Sequence, residues 1–345
     1  MKYLFIDGNN LACRAAFANP ELKNSRGIST GVHFGMFQSL INLKQAYPEH
    51  QFLMVWDNKS KRRVEEAEKA VKEGIIPSGY KENRRQEPMP QPLQDFYQQS
   101  PYLQRGIGQT GIPQIRLDGF EADDVIASYS KALRDENEVV IATTDRDFYQ
   151  TLHDNVTLWD GMKQQLTRKK VWVQQMGIEP QQAIDVGAFE GDAGDNIHGC
   201  PSIGEKTALE IVKEFGSWQK AIAEYHKKYD SLRVQFPDLN AQELEKLMAI
   251  KTKAGKTKYE EVNIHLPFTG VIMAMEEKKV KLPKTELMAL VFERRVALAY
   301  SLKKMDDDIG NLPPVSQQSC QVDKIIEYFE YYDIQSLQDS ISVFK

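Results

Sequence analysis

The sequence predicts an α/β fold, a mostly parallel central sheet flanked by helices. Three short apolar runs each end in a carboxylate: Tyr3-Leu-Phe-Ile-Asp7, Phe52-Leu-Met-Val-Trp-Asp57 and Val139-Val-Ile-Ala-Thr-Thr-Asp145. Runs of this length, bounded by turn residues and separated by helical patterns, are buried strands of a parallel sheet. Ligands of such sheets sit beyond the carboxyl ends of the strands, so three aspartates are aimed at one crevice.

The elements follow in order. Gly31 to Tyr47 is helical, with Val32, Phe34, Met36, Phe37, Leu40, Ile41 and Leu43 apolar. Residues 58 to 100 break the alternation: a charged stretch from Lys59 to Lys72 precedes Gly74, Pro77, Gly79, Pro88, Pro90 and Pro92. A connection of that length between core strands is a functional loop or arch more often than a plain link. A strand over Ile112 to Leu117 leads to a helix over Ala122 to Leu133, with Val125, Ile126, Tyr129 and Leu133 on one face. From about Gln181 the pattern is helical. The expected domains are 1–186, with the arch at about 58–100, then 187–305, then a linker and a terminal helix pair over 306–345, where Ile325, Ile326, Phe329, Ile334 and Leu337 face inward.

Composition fits a soluble globular chain: 345 residues, 41% hydrophobic and 27% charged. Cys13, Cys200 and Cys320 are too few and too scattered for a disulfide framework, which points to a reducing compartment. The N-terminus reaches Asp7 without the apolar core of a signal peptide, and no stretch of about 18 uncharged apolar residues offers a membrane span. The expected location is the cytoplasm, with no membrane partner. The formal charge of −5 argues mildly against a nucleic-acid partner, provided the acids are evenly spread.

They are not. Beside Asp7 and Asp57 stand three compact groups: Glu121-Ala-Asp123-Asp124, Asp145-Arg-Asp147 and Asp192-Ala-Gly-Asp195. Helix caps and first-turn acids would explain any one of them. All five places together would crowd like charges at one edge, and a divalent cation resolves that repulsion. The six histidines show no HxxxH spacing, so zinc is disfavoured, and an oxygen-only set selects Mg²⁺ or Mn²⁺. With the nine site acids set aside the balance turns to +4, a slightly basic surface around an acidic crevice.

Two nucleotide-like patterns fail. Gly106-Ile-Gly108-Gln-Thr-Gly111 has the GxGxxG form, but its glycines precede a strand instead of following one. Ala254-Gly-Lys256-Thr257 imitates the end of a P-loop, yet Ile250 stands where the first glycine is required. More informative is Gly199 to Gly216, where a glycine-bounded loop through Ile203 and Gly204 opens an amphipathic helix carrying Lys206 and Thr207. Exposed N–H groups there form a phosphate site that reads backbone rather than bases. An ordinary helix with a glycine-rich entry is the alternative. Basic clusters at Lys59, Lys61, Arg62 and Arg63, at Lys81, Arg84 and Arg85, and at Lys251, Lys253, Lys256 and Lys258 add to a phosphodiester footprint, although each alone reads as a solvated face.

These residues closely resemble the flap endonuclease or 5′-nuclease family, found as polymerase-I 5′-exonuclease domains and as free-standing bacteriophage enzymes. The matching motifs, in family order over about residues 1 to 220, are Ile6-Asp7-Gly-Asn-Asn10 with Arg14, Trp56-Asp57, Tyr80-Lys81-Glu-Asn-Arg84, Gly119-Phe-Glu121-Ala-Asp123-Asp124, Thr144-Asp145-Arg-Asp147, Gly191-Asp192-Ala-Gly-Asp195-Asn196 and Ile203-Gly204-Glu-Lys206. The resemblance implies a PIN-like nuclease core with a helical arch and a helical DNA-binding subdomain containing a helix-three-turn-helix motif. It implies a metal-dependent, structure-specific 5′-3′ exonuclease and 5′-flap endonuclease of replication and repair, acting in a bacterial or phage-infected cell. Asp7, Asp57, Glu121 and Asp123 would hold one Mg²⁺, and Asp145, Asp147, Asp192 and Asp195 a second, with Asp124 between them; Mn²⁺ would substitute. Lys81 and Arg84 would act on the scissile phosphate. Arg14, Tyr80, Gly199, Ile203, Gly204, Lys206 and Thr207 would contact DNA, with K⁺ at the module's loop.

The implied substrate is branched or nicked duplex DNA with a 5′ end or flap, and a separate polymerase or single-strand-binding protein is a candidate partner. Gly187 departs from the family, which often has Lys or Arg there, and the stretch after Asp57 departs too. The alternatives are ribonuclease-H-like removal of RNA primers from RNA–DNA hybrids and a non-catalytic junction-binding adapter.

Overall fold

The computed structural model describes residues 1–85, 88–228 and 284–345; the Lys251 to Lys258 cluster and the Ala254 to Thr257 pattern lie outside them. The chain forms two compact units. Of the described residues, one is built from 1–60, 88–175 and 305–345, the other from 61–85, 176–228 and 284–304.

The first unit holds a six-stranded sheet of β1 (Lys2–Asp7), β2 (Gln51–Val55), β3 (Gln114–Ile115), β4 (Glu138–Ala142), β5 (Val156–Asp160) and β6 (Gln165–Arg168), in the order β3-β2-β1-β4-β5-β6. Only the β5–β6 pairing is antiparallel. The apolar runs at β1, β2 and β4 are buried because neighbouring strands and helices cover them. Parallel register sets Asp7 opposite Val55, and Ile6 opposite Ala142. Asp57 and Asp145 therefore each lie two residues beyond the level of Asp7, on either side of it. The expected strand over 112–117 shrinks to Gln114–Ile115, and the hairpin β5–β6 extends the sheet beyond the strands expected from sequence.

Among the described residues the helices are α1 (Gly8–Ala18), α2 (Gly31–Ala46), α3 (Lys61–Lys72), α4 (Gln91–Gln109), α5 (Ala122–Leu133), α6 (Lys169–Met176), α7 (Ala183–Glu190), α8 (Glu205–Phe215), α9 (Trp218–Lys228), α10 (Lys284–Val291), α11 (Glu293–Lys303) and α12 (Val322–Tyr331). Within the first unit, Leu4, Ile6, Phe52 and Met54 of the sheet share a core with Met36, Phe37 and Leu40 of α2, with Phe96, Leu103 and Ile107 of α4, and with Ile325, Phe329, Leu337 and Phe344 of the C-terminal segment. Burying one such side chain is worth about 1.5–3 kcal/mol. The span 58–100 contains α3 and the start of α4, so much of it is helical. The GxGxxG pattern ends α4 and precedes β3: a side chain at Gly106 would meet the Tyr328 ring at 2.4 Å, and Gly111 has φ +80. These glycines serve helix packing and termination.

The second unit packs α3, α7, α8, α9 and α11 together with a hairpin of β7 (Gly191–Asp192) and β8 (Ile197–His198). Arg63 is 2% exposed and donates from Nε to the Leu302 carbonyl (2.9 Å), tying α3 to α11. Among the described residues, no helix is long and apolar enough to cross a membrane.

Candidate active site

In the first unit, four carboxylates converge on the carboxyl edge of the sheet. Asp7 closes β1 and caps α1, accepting from the Asn10 N–H at 2.9 Å. Burial, and then the charges of Asp57, Asp145 and Asp123, hold its carboxyl well above the usual carboxylate range, against the Asn10 bond. Asp57 accepts from the Ala122 N–H (2.9 Å) at the start of α5, and its own N–H donates to Asn9 Oδ1 (3.2 Å). Asp145 caps the 3-10 turn Arg146–Thr151, accepting from the Asp147 N–H at 2.8 Å. Asn10 Oδ1 accepts from Thr144 Oγ1 (3.0 Å), which fixes the loop after β4 against α1.

Glu121 and Asp124 form a capping box at α5, and Asp123 accepts from the Asp124 N–H at 2.8 Å. Asp124 is 1% exposed; its carboxylate accepts from the Glu121 N–H (3.3 Å) and the Asp306 N–H (2.8 Å), joining the linker to α5. Capping thus accounts for Asp7, Glu121, Asp124 and Asp145 one at a time. It does not account for their convergence, which leaves Asp7 buried among like charges. Among the described residues, no three His, Cys, Asp or Glu side chains stand close enough together to hold an ion as they are. The donor set nevertheless fits a hard divalent cation: it is all oxygen, it comes from separate elements, and its repulsion is of the kind such a charge relieves.

Arg14, on α1, has a buried Nε with no hydrogen-bond partner among the described residues. Burial pulls its pKa down from the ordinary value, while Asp160 and Asp7 raise it. A half-desolvated guanidinium with an unused donor is suited to an anionic ligand.

In the second unit, Asp192 ends β7 and Asp195 sits on the turn that leads to β8. Asp192 Oδ1 accepts from the N–H groups of Gly194 (2.8 Å) and Asp195 (3.3 Å). Asp195 is ion-paired with Arg84 and with Lys81 (3.6 Å), and accepts from the Tyr80 hydroxyl at 3.2 Å. The backbone locks the same segments together: Lys81, at φ 55, donates its N–H to the Asp195 carbonyl (2.8 Å), and Asn83 Nδ2 donates to the Ala193 carbonyl (2.7 Å). The Tyr80 to Arg84 motif and the Asp192 to Asp195 motif, far apart in sequence, are one cluster.

The Gly199 to Gly216 module lies beside it. A Cβ at Gly199 would meet the Gly191 nitrogen at 2.4 Å, so only glycine permits this approach of loop and hairpin. Ile203 is buried, Gly204 caps α8 in extended conformation with open space where a side chain would be, and Gly216 ends the helix at φ 84. Lys206 is exposed and Thr207 half-buried on the first turn of α8. The loop borders a cleft of about 580 Å³ whose walls include Asp192, Asn196, His198, Ser202 and Arg295.

Sequence reasoning passed over Asn9, Asn10 as a loop clamp, Asp160 beside Arg14, and Lys303, whose ammonium is 3.4 Å from Asp192 Oδ2. The asparagines could have been read from the Asp7-Gly-Asn-Asn10 run; Lys303 carries no local signal.

Residues 2–177 match the family profile described as 5′-3′ exonuclease, N-terminal resolvase-like domain, and residues 178–266 match 5′-3′ exonuclease, C-terminal SAM fold. The 5′-3′ exonuclease of Aquifex aeolicus is 29% identical over 299 residues, covering 85% of this chain and 95% of that one. DNA polymerase I of Caldicellulosiruptor bescii is 34% identical over 241 residues, 68% of this chain but 27% of the polymerase. Among solved structures, the T5 D15 protein co-crystallised with metal ions superposes with a TM-score of 0.56 at 19% identity, covering 100% of this chain and 99% of that one. The catalytic core of Rad2 in complex with DNA substrate gives 0.53 at 13% identity, covering 99% and 92%. The last two show a shared fold. With its two parts matched in sequence by the two profiles, the chain belongs to the 5′-3′ exonuclease family.

Proposed function

We propose that this chain hydrolyses phosphodiester bonds at 5′ ends and 5′ flaps of branched or nicked DNA, with Mg²⁺ as its working ion and Mn²⁺ as a substitute. The observation that carries this reading is the convergence of Asp57, Asp123 and Asp145 on the buried Asp7 at the carboxyl edge of the sheet. Asp7, Asp57, Glu121 and Asp123 would hold one ion, with Asp145 and Asp147 next to them in the chain's motif order. Asp192 and Asp195 are assigned to a second. Bound divalent ions would activate a water, neutralise the phosphate and stabilise the departing 3′ oxygen. Asp124, with its carboxylate engaged by backbone amides, orients Glu121 and Asp123. Lys81 and Arg84 supply positive charge to the phosphoryl group in the transition state. Arg14 and Tyr80 contact the strand, and the N–H groups of the 199–207 segment, with Lys206 and Thr207, grip duplex backbone, K⁺ binding at that loop.

A labelled 5′-flap duplex incubated with Mg²⁺ tests the reading, alongside Asp145→Ala. Cleavage by the unmodified protein and a loss of about a thousandfold or more in the variant are expected. Binding without cleavage would make the protein a junction adapter, and exclusive cutting of an RNA version of the flap would make it a primer-removing ribonuclease. Affinity should fall steeply with salt and be indifferent to sequence.

A further inference from the structure

Gly187 lies inside α7, four residues before Gly191, where the helix packs against α11. A Cβ at this position would stand 2.5 Å from Lys303 Cε and 2.8 Å from Cδ. The absent side chain is therefore the space through which the Lys303 stem passes. Lys303 ends α11, is 8% exposed, and brings its ammonium to 3.4 Å from Asp192 Oδ2. The other oxygen, Oδ1, is taken by the Gly194 and Asp195 amides. Both oxygens of this carboxylate are thus engaged, one by backbone and one by a cation from another helix.

We propose that Lys303, threaded past Gly187, is a positioning residue that sets the orientation of Asp192; this rests on the assignment of Asp192 to a divalent ion. A lysine so enclosed is no free phosphate contact, and its stem fills a groove that only glycine leaves open. The arrangement makes two residues with no chemistry of their own in common depend on each other.

The test compares Lys303→Met, which keeps the stem and removes the charge, with Lys303→Arg and Gly187→Ala. Mn²⁺ binding to the metal-free protein is followed by calorimetry and flap cleavage under single turnover, with the melting temperature as a check on folding. Removing a positive charge beside a ligand oxygen should tighten Mn²⁺ binding by about threefold or more. The same change should slow cleavage by about tenfold, because Asp192 Oδ2 is no longer held. Lys303→Arg should restore both, and Gly187→Ala should reproduce part of the loss by displacing the stem. Unchanged Mn²⁺ affinity in Lys303→Met while Asp192→Asn weakens it would overturn the role of Lys303 alone. Equal Mn²⁺ affinity of the unmodified protein and Asp192→Asn would overturn the assignment of Asp192 and the proposal with it.

Discussion

The guanidinium of Arg84 is ion-paired with the carboxylate of Asp195, and Lys81 places a second cation 3.6 Å from the same group. One carboxylate thus balances both basic residues proposed to act on the phosphate. If Asp195 holds a metal ion as proposed, the two cations would exchange this carboxylate for the phosphate as their anionic partner.

Lys81→Ala should accordingly lower the single-turnover cleavage rate by about a hundredfold. Its affinity for a 5′-flap junction should change far less, because the transition state gains the interaction that the ground state shares with Asp195. Fluorescence anisotropy beside quenched-flow cleavage measures both; equal losses in the two would reduce Lys81 to a plain binding residue.

Asp7→Asn removes a buried charge that Asp57, Asp145 and Asp123 all oppose. In EDTA the variant should melt higher than the unmodified protein. Adding Mg²⁺ should raise the melting temperature of the unmodified protein and leave the variant nearly unmoved, with its cleavage lost by about a thousandfold. A higher melting temperature for the unmodified protein in EDTA would contradict the repulsion argument.

His33 stacks on Tyr332 at 3.8 Å and contacts the Tyr328 hydroxyl, joining α2 to α12. Burial lowers its pKa from 6.5 to about 4, with Gln99 pulling weakly the other way. The unfolded chain takes up this proton first as pH falls, so the stability His33 lends is present above pH 6.5 and is lost on descent towards 4. His33→Gln should flatten the fall in melting temperature across that window. An unchanged slope would show that other groups govern it.

Gly106→Val should destabilise the first unit by about 1–3 kcal/mol, because the Tyr328 ring already occupies the position of the added side chain. Urea unfolding measures the loss. A neutral outcome would mean that α12 can shift away from α4 freely.

The parallel sheet and its acids are legible in sequence because each central strand is an apolar run that stops at an aspartate, as at Ile6-Asp7 and Trp56-Asp57. The hairpin β5–β6 is not. Its second strand, Gln165-Leu-Thr-Arg168, is polar, lies at the sheet edge and carries no site residue, so neither pattern nor chemistry marks it. Contacts made across the chain are hidden for a different reason. Nothing near Lys303 hints at Asp192, which is 111 residues away, and Lys81 shows its link to Asp195 only once the β7–β8 turn exists.

The C-terminal segment has a consequence for how such proteins can be cut and recombined. The two family profiles meet at residues 177 and 178, which invites treating 1–177 as a portable cassette. Yet Ile325, Phe329, Leu337 and Phe344 complete the core over Phe37 and Ile107, and the Asp306 amide finishes the acid cluster at Asp124. A fragment ending at that seam would carry most of the motifs while lacking the cover that makes their scaffold a folded body. The inheritable module here is discontinuous, and its last forty residues travel with its first.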